Sequence, residues 1–166
     1  MKNSDLREGA TRKLAEHAAE LTYDMLPEEL VALTKRCILD TLGVTLGASR
    51  LSPEGQTLAD YVRDIGGKAE STVMGFGFKA PAGAAVFVNG SLGHMLDYDD
   101  VAKTGHLSIV TIPVALALAE RQGGIDGKDL ITAVAAGMDV MTRLSGAITI
   151  PQWISNEGWF ATQLLG

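Results

Sequence analysis

Residues 81–96, PAGAAVFVNGSLGHML, decide the fold because they combine helical length with very small side chains. Each isolated glycine destabilises a helix by about 1 kcal/mol relative to alanine. A helix of this composition is stable only where its small side chains let it approach its neighbours closely or line a cavity. The stretch therefore predicts a buried, central helix that begins at Pro81.

Three helices are predicted before the central one. The first is marked by apolar residues at helical spacing in residues 14–21. The second begins after Pro27, with two glutamates in its first turn, and ends near Gly47. The third begins at Ser52 and ends at Gly66.

Two more helices follow the central one. Ser108 or Thr111 is expected to cap the helix of residues 112–122, and residues 128–147 repeat apolar side chains at helical spacing. The only segment that predicts a strand is STVMGFGF, residues 71–78, and it is short. The sequence therefore predicts an all-α fold, a bundle of several helices.

Composition narrows the class of partner. The 166 residues include 20 acidic and 14 basic ones and carry a net charge of −6, with no basic run. Nucleic acids and anionic membrane surfaces are therefore not expected as partners, and a small metabolite fits better. The single cysteine and the lack of a signal peptide or a long apolar run predict a cytoplasmic protein.

Residues 89–108, NGSLGHMLDYDDVAKTGHLS, place two histidines, three aspartates, a tyrosine and a lysine in one window. If the central helix continues to Tyr98, His94 lies one turn before Asp97 and shares a face with it. A carboxylate that orients a neutral imidazole raises its basicity, which suits a base that removes a carbon-bound proton. The alternative is a helix end whose histidine faces solvent.

The same window allows two other interpretations. On the helical spacing, Asp99 and Asp100 point away from His94. A magnesium or manganese site would use four oxygen and nitrogen ligands, Asp97, Asp99, Asp100 and His106. His106 stands just before a predicted helix N-terminus, where a substrate carboxylate can dock. We expect Asp97, His94 and His106 to form one polar cluster at the mouth of a cavity, with no metal ion.

Five segments carry a resemblance to a known family: CILDTLGVTLGAS (37–49), FVNGSLGHMLDYDD (87–100), GHLSIVTIPVALALAE (105–120), GMDVMTRLSGA (137–147) and GWFATQLLG (158–166). In this order and spacing they resemble the N-terminal helical domain of the MmgE/PrpD family. The family includes 2-methylcitrate dehydratase, cis-aconitate decarboxylase and iminodisuccinate epimerase. Residues 1–166 are accordingly expected to be the N-terminal part of the helical domain, without the family's smaller α/β domain.

The resemblance implies a lyase that acts on a small di- or tricarboxylate without a cofactor. Proton transfer at a carbon next to a carboxylate would accompany loss of water or carbon dioxide. Asp97 matches the aspartate of the family's [LM]D[FY]DD motif, and His106 matches the histidine that closes the same loop, so both are expected to be catalytic. We assign His94, Tyr98 and Lys103 to substrate binding.

The sequence departs from the family pattern at three places. The loop between Asp97 and His106 is one residue shorter than the common form, Val101 replaces a frequent threonine, and Phe160 stands where GWFATQLLG would carry a histidine. Two alternatives to a lyase therefore stay open: an epimerase of the family, and a degenerate helical module without activity. The expected partner is a second copy in a homodimer or a chain that supplies the missing C-terminal half.

Overall fold

A computed structural model of the chain describes residues 9–102 and 105–147. In this part the elements are α1 (Ala10–Glu20), a 3₁₀ turn (Tyr23–Met25), α2 (Glu28–Leu51), α3 (Pro53–Ile65), β1 (Ser71–Val73), β2 (Phe78–Ala80), α4 (Ala82–His94), α5 (Ser108–Arg121) and α6 (Gly127–Ala147). The prediction of a mainly helical fold is confirmed. None of the described helices is both long enough and apolar enough to cross a membrane.

The small-residue helix α4 is the centre of the fold, as its composition predicts. It packs against α2, α3, α5 and β1. Ala85, Val88 and Leu92 are fully buried, and they form one core with residues of α2, α3 and the two strands. A second core joins α2, α5 and α6 around Cys37, Ile112 and Val134.

Glycines set the contact between α4 and α5. A Cβ built on Gly93 would lie 3.0 Å from Cγ2 of Ile109, and one built on Gly90 would lie 3.3 Å from the Ile109 carbonyl oxygen. Pro113 stands four residues after Ile109 inside α5 and has no N–H to donate to that carbonyl. The two helices therefore approach each other where α4 carries no side chain.

The predicted single strand of residues 71–78 is instead β1, a turn and the first residue of β2. β1 and β2 pair antiparallel, with Val73 opposite Phe78. The turn uses Gly75 and Gly77 at φ 82° and 73°, a region that favours glycine. The buried Asn89 of α4 fixes the hairpin to the bundle, because it accepts from the Met74 N–H and donates to the Thr72 carbonyl at 2.9 Å each.

α5 begins at Ser108, four residues before the predicted start, and two further helix boundaries differ from the prediction. α2 continues past Gly47 to Leu51, since one glycine inside a packed helix does not end it. α4 ends at His94 and does not reach Tyr98. The end of α4 at His94 changes which side chains meet in the polar window.

Candidate active site

Near the start of the loop between α4 and α5, one residue adopts a left-handed backbone conformation. Asp97 has φ 53°, the only positive value for a non-glycine residue in the described chain, and its N–H donates to the His94 carbonyl at 3.0 Å. Aspartate tolerates this left-handed conformation better than most residues. The helix therefore closes at His94, and the helical spacing that would pair His94 with Asp97 does not apply.

Asp99 is the residue that joins the two histidines. Its Oδ1 lies 2.9 Å from Nδ1 of His94, and its Oδ2 lies 2.8 Å from Nδ1 of His106. The Asp99 side chain is only 1% exposed, while those of His94 and His106 are 46% and 26% exposed. The prediction that Asp99 points away from His94 is therefore wrong, because the loop turns the carboxylate inward beneath both rings.

Asp97 nevertheless lies beside the same two rings. One nitrogen of His94, one nitrogen of His106 and a carboxylate oxygen of Asp97 all lie within 4.8 Å of one another. The ring centroids are 4.4 Å apart at an interplanar angle of 60°. The structure thus brings together the three residues predicted to cluster, with Asp99 behind them; these four residues are called the loop cluster below.

Two further contacts close the loop. Ala102 and Gly105 exchange backbone hydrogen bonds of 2.9 and 3.1 Å. The Ser108 hydroxyl donates to Oδ2 of Asp100 at 2.6 Å. Ser108 is therefore not the helix cap that the sequence predicts: it is the first residue of α5 and its side chain holds the loop.

The Asp100 carboxylate also affects the pKa of the Cys37 thiol on α2. The pKa of the Cys37 thiol is raised, first by burial and then by the negative charge of Asp100, while a hydrogen bond from Ser108 partly opposes this. A thiol with a raised pKa is a poor nucleophile at neutral pH. Cys37 is thus part of the packing beneath the loop.

Of the two residues Tyr98 and Lys103, which are predicted to bind substrate, the structure describes only Tyr98. The Tyr98 side chain is half exposed, and a Cβ built on Gly47 would lie 2.8 Å from its hydroxyl, so the ring lies across α2. Lys103 lies outside the described residues, as does Phe160. The substrate-binding roles of Tyr98 and Lys103 stay predictions.

The predicted cavity lies behind the loop. Its volume is about 440 Å³, and its walls include Ala102 and Leu107 of the loop, Cys37 of α2, and Met138 of α6. The same cavity is also lined by His17, Asp139 and Arg143. No residue of the loop cluster lines it, so the structure does not place the cluster at its mouth.

The chemistry of the loop cluster follows from its hydrogen bonds. A carboxylate oxygen accepts hydrogen bonds, and an imidazole donates from one ring nitrogen or the other according to its tautomer. His106 stands two residues before the first residue of α5, at the positive end of the helix dipole, which confirms that prediction. Such a site can take up a proton and bind a carboxylate.

The loop cluster also contains one set of potential metal ligands. His94, Asp97 and His106 have the spacing to hold one ion. The structure therefore does not bring together the predicted ligand set of Asp97, Asp99, Asp100 and His106: His94 takes the place of Asp99 and Asp100 beside the other two residues. An imidazole ligand backed by a carboxylate is also common around zinc.

Sequence reasoning missed Asp99 as a site residue. A usable signal was present: a loop of eleven residues, 95–105, between two histidines next to helix ends, with acids inside it. A buried carboxylate needs partners, and histidines at both ends of its loop are the nearest donors.

The described part of the chain is thus a helical domain in which the loop between α4 and α5 holds two histidines against one carboxylate. The chain belongs to the MmgE/PrpD family, whose N-terminal domain matches residues 12–166. The resemblance seen in the sequence is confirmed.

Curated relatives at moderate to low identity bear the name cis-aconitate decarboxylase. The mouse protein is 34% identical over 75% of this chain and 26% of its own length. The human protein is 34% identical over 72% of this chain and 26% of its own length. The Aspergillus terreus protein is 24% identical over 99% of this chain and 34% of its own length. The chain thus spans between a quarter and about a third of these relatives.

Proposed function

We propose that this chain carries part of the active site of a lyase that acts on a small di- or tricarboxylate by acid–base chemistry, without a cofactor. One observation carries the proposal: a ring nitrogen of His94, a ring nitrogen of His106 and a carboxylate oxygen of Asp97 lie within 4.8 Å of one another, next to the N-terminus of α5. An imidazole accepts a proton when it is neutral and gives one up when it is protonated, so such a group can move a proton to or from carbon.

The residues divide into two roles. His106 and Asp97 are the catalytic pair, with the imidazole moving a proton at the carbon next to a substrate carboxylate. His94, Tyr98 and Lys103 bind the substrate. The positive end of α5 stabilises negative charge on the bound acid by the same dipole effect that favours anions at helix N-termini.

cis-Aconitate is the first substrate to test, because the mouse and human relatives are named for its decarboxylation. In that reaction the bond from carbon to the departing carboxylate breaks and carbon dioxide leaves; His106, after taking up a proton from solvent on Nε2, delivers it to the carbon that keeps the electron pair. Dehydration needs the opposite proton transfer, from carbon to base. Both reactions use the same pair of groups, so 2-methylcitrate is the second substrate to test.

The assay compares two samples. The first is the 166-residue chain, and the second is a chimaera in which residues 12–166 replace the matching region of the mouse decarboxylase. Carbon dioxide release and loss of the substrate's ultraviolet absorbance report turnover in the chimaera. Binding of tricarballylate, a saturated analogue, to the chain alone is followed by the NMR shifts of His94 and His106.

The assay also separates the competing functions. Inversion of a chiral diacid without loss of water or carbon dioxide would indicate an epimerase. A folded chimaera that turns over none of these acids, with a chain that binds none, would indicate a non-catalytic module. Activity that is abolished by EDTA and restored by a divalent ion would replace acid–base catalysis with a metal site at His94, Asp97 and His106.

We also propose that the chain associates, with a second copy or with a chain that supplies the complementary region, and that it works in the cytoplasm. Several large apolar side chains face outward, among them Leu39 and Leu51 at 71% exposure and Val101 at 70%. Surfaces of this kind usually bind a partner. Light scattering at micromolar concentration should show a species heavier than 17.5 kDa, and a monodisperse monomer would contradict the homodimer.

A further inference from the structure

Asp99 is unusual among the acids of the described residues because it is almost completely buried and both of its oxygens contact imidazoles. The distances to the two Nδ1 atoms, 2.9 and 2.8 Å, are those of good hydrogen bonds. Removing a carboxylate from water is costly unless strong partners compensate it. Here each compensating partner is a ring of the loop cluster.

We propose that Asp99 is a positioning residue that holds His94 and His106 in the same tautomer, with the proton on Nδ1 and the lone pair on Nε2. The role of the two rings in proton transfer rests on the proposed function. The tautomers themselves rest only on the geometry around Asp99. The reactive atom of both rings is therefore Nε2, and it is Nε2 that meets a substrate.

The carboxylate is the group that this arrangement requires. An asparagine of the same shape offers one carbonyl oxygen and one NH₂ group, so it can accept from one Nδ1 only and must donate to the other. The second ring would then carry its proton on Nε2. Asp99→Asn thus keeps the shape of the residue while it forces the two rings into opposite tautomers.

A role in holding the loop closed would not explain why residue 99 is a carboxylate. The loop already has the hydrogen bond from Ser108 to Asp100 at 2.6 Å and the paired backbone bonds of Ala102 and Gly105. Either amide or carboxylate at position 99 would serve to connect the two ring nitrogens. Only the carboxylate leaves both Nε2 atoms free to accept a proton.

The test is a long-range proton–nitrogen NMR spectrum of the 166-residue chain with ¹⁵N-labelled histidine, recorded at alkaline pH where imidazoles are neutral. The chain has three histidines. His17 is an internal control, because its Nε2 contacts Asp139 at 2.7 Å and should carry the proton. We expect two rings protonated on Nδ1 and one on Nε2.

The Asp99→Asn spectrum should show one of the loop rings switched to the Nε2 tautomer and His17 unchanged. The matched control Asp139→Asn leaves both loop rings as in the wild type. A wild-type spectrum in which His94 or His106 carries its proton on Nε2 overturns the proposal whether or not the variant folds. So does an Asp99→Asn spectrum, from a folded sample, with both loop rings unchanged.

A second measurement links the tautomers to activity. In the chimaera, Asp99→Asn should lower kcat by about 10- to 100-fold, the range found for residues that orient a reacting group through a hydrogen bond. The thermal unfolding midpoint of the variant shows whether the loss is structural. Because the NMR experiment uses no substrate, a failure of the proposed lyase activity leaves the tautomer result standing.

Discussion

The chain contains two clusters of histidine and aspartate that differ in how the carboxylate is compensated. In the loop cluster, Asp99 is buried and accepts from two imidazoles. In the second, called the α1–α6 cluster, Asp139 is 35% exposed and accepts from His17 at 2.7 Å and from Arg143 at 2.8 Å. The guanidinium neutralises Asp139, so that cluster joins two helices, whereas the loop cluster leaves two lone pairs for chemistry.

The largest expected effects are losses of activity in variants of the loop cluster, which variants of the α1–α6 cluster should not show. In the chimaera, Asp97→Asn and His106→Ala should each lower turnover of cis-aconitate by roughly 10²-fold, the usual contribution of an acid–base group. Asp97→Asn is a sharp test, because asparagine tolerates φ 53° as aspartate does and only the charge is lost. Turnover is measured as carbon dioxide release.

His17→Ala is the matched control for these variants, since it removes a histidine bound to an aspartate outside the loop cluster. Its turnover should stay within about twofold of the wild type. Equal losses in His17→Ala and His106→Ala would show that the two clusters do not differ in function. Full activity in Asp97→Asn and His106→Ala would place the chemistry elsewhere.

The next effect concerns stability and tests how the loop cluster is supported. A valine at Gly93 would place its Cβ 3.0 Å from Cγ2 of Ile109 and add two methyl groups to a filled contact. Overpacking of this kind destabilises by about 1–3 kcal/mol. We expect Gly93→Val to lower the free energy of urea unfolding by that amount and to shift the NMR signals of His94 and His106 more than those of His17.

Gly43→Ala is the control for glycine replacement itself. Nothing lies within 4 Å of a Cβ built at Gly43, inside the exposed face of α2. The variant should gain about 0.5–1 kcal/mol from the higher helix propensity of alanine. A Gly93→Val protein as stable as the wild type would mean that the contact between α4 and α5 is looser than the distances indicate.

The two clusters also show what the sequence could predict. Asp139 and Arg143 stand four residues apart in α6, a continuous helix, so their ion pair follows directly from helical spacing. The same rule failed for His94 and Asp97, because α4 ends at His94. Periodicity predicts contacts only inside the element that has that period.

The central helix α4 could be predicted from the sequence, whereas the arrangement of the loop that follows it could not. The abundance of alanine and glycine in α4 predicted burial, since burial depends on side-chain size, which the sequence states directly. The position of Asp99 depends on the left-handed backbone at Asp97 and on the pairing of Ala102 with Gly105. These are features of a closed loop, and no local propensity determines them.

A smaller effect concerns the pH dependence of the α1–α6 cluster. Burial raises the pKa of Asp139, but the hydrogen bonds from Arg143 and His17 outweigh it, so the pKa lies below its ordinary value. A carboxyl whose pKa is lowered on folding stabilises the protein above its unfolded pKa, and this contribution is lost as the pH falls through the folded pKa. The contribution is therefore complete at neutral pH.

Arg143→Ala should reduce the free energy of urea unfolding at pH 7 only slightly, because the pair is partly exposed and screened by solvent. The difference from the wild type should shrink as the pH falls below about 4 and the carboxyl is protonated. A difference that is the same at pH 7 and pH 3 would show that Arg143 acts through packing and not through the charge of Asp139.

The smallest expected effect is a change in the alkylation rate of Cys37, and it tests the charge of Asp100 beneath the loop. Asp100→Asn removes a charge that raises the pKa of the thiol, so iodoacetamide should react faster than with the wild type at pH 8. Ser108→Ala removes a hydrogen bond that lowers this pKa, so the reaction should be slower.

These two variants break the same hydrogen bond between Ser108 and Asp100, so an effect of loop opening would have the same sign in both. Opening the loop exposes Cys37 and accelerates alkylation in either variant. Opposite signs can arise only if the electrostatic environment of the thiol controls its rate. Acceleration in both variants would therefore show that the loop is held closed chiefly by this one contact, and that the loop cluster depends on it as well.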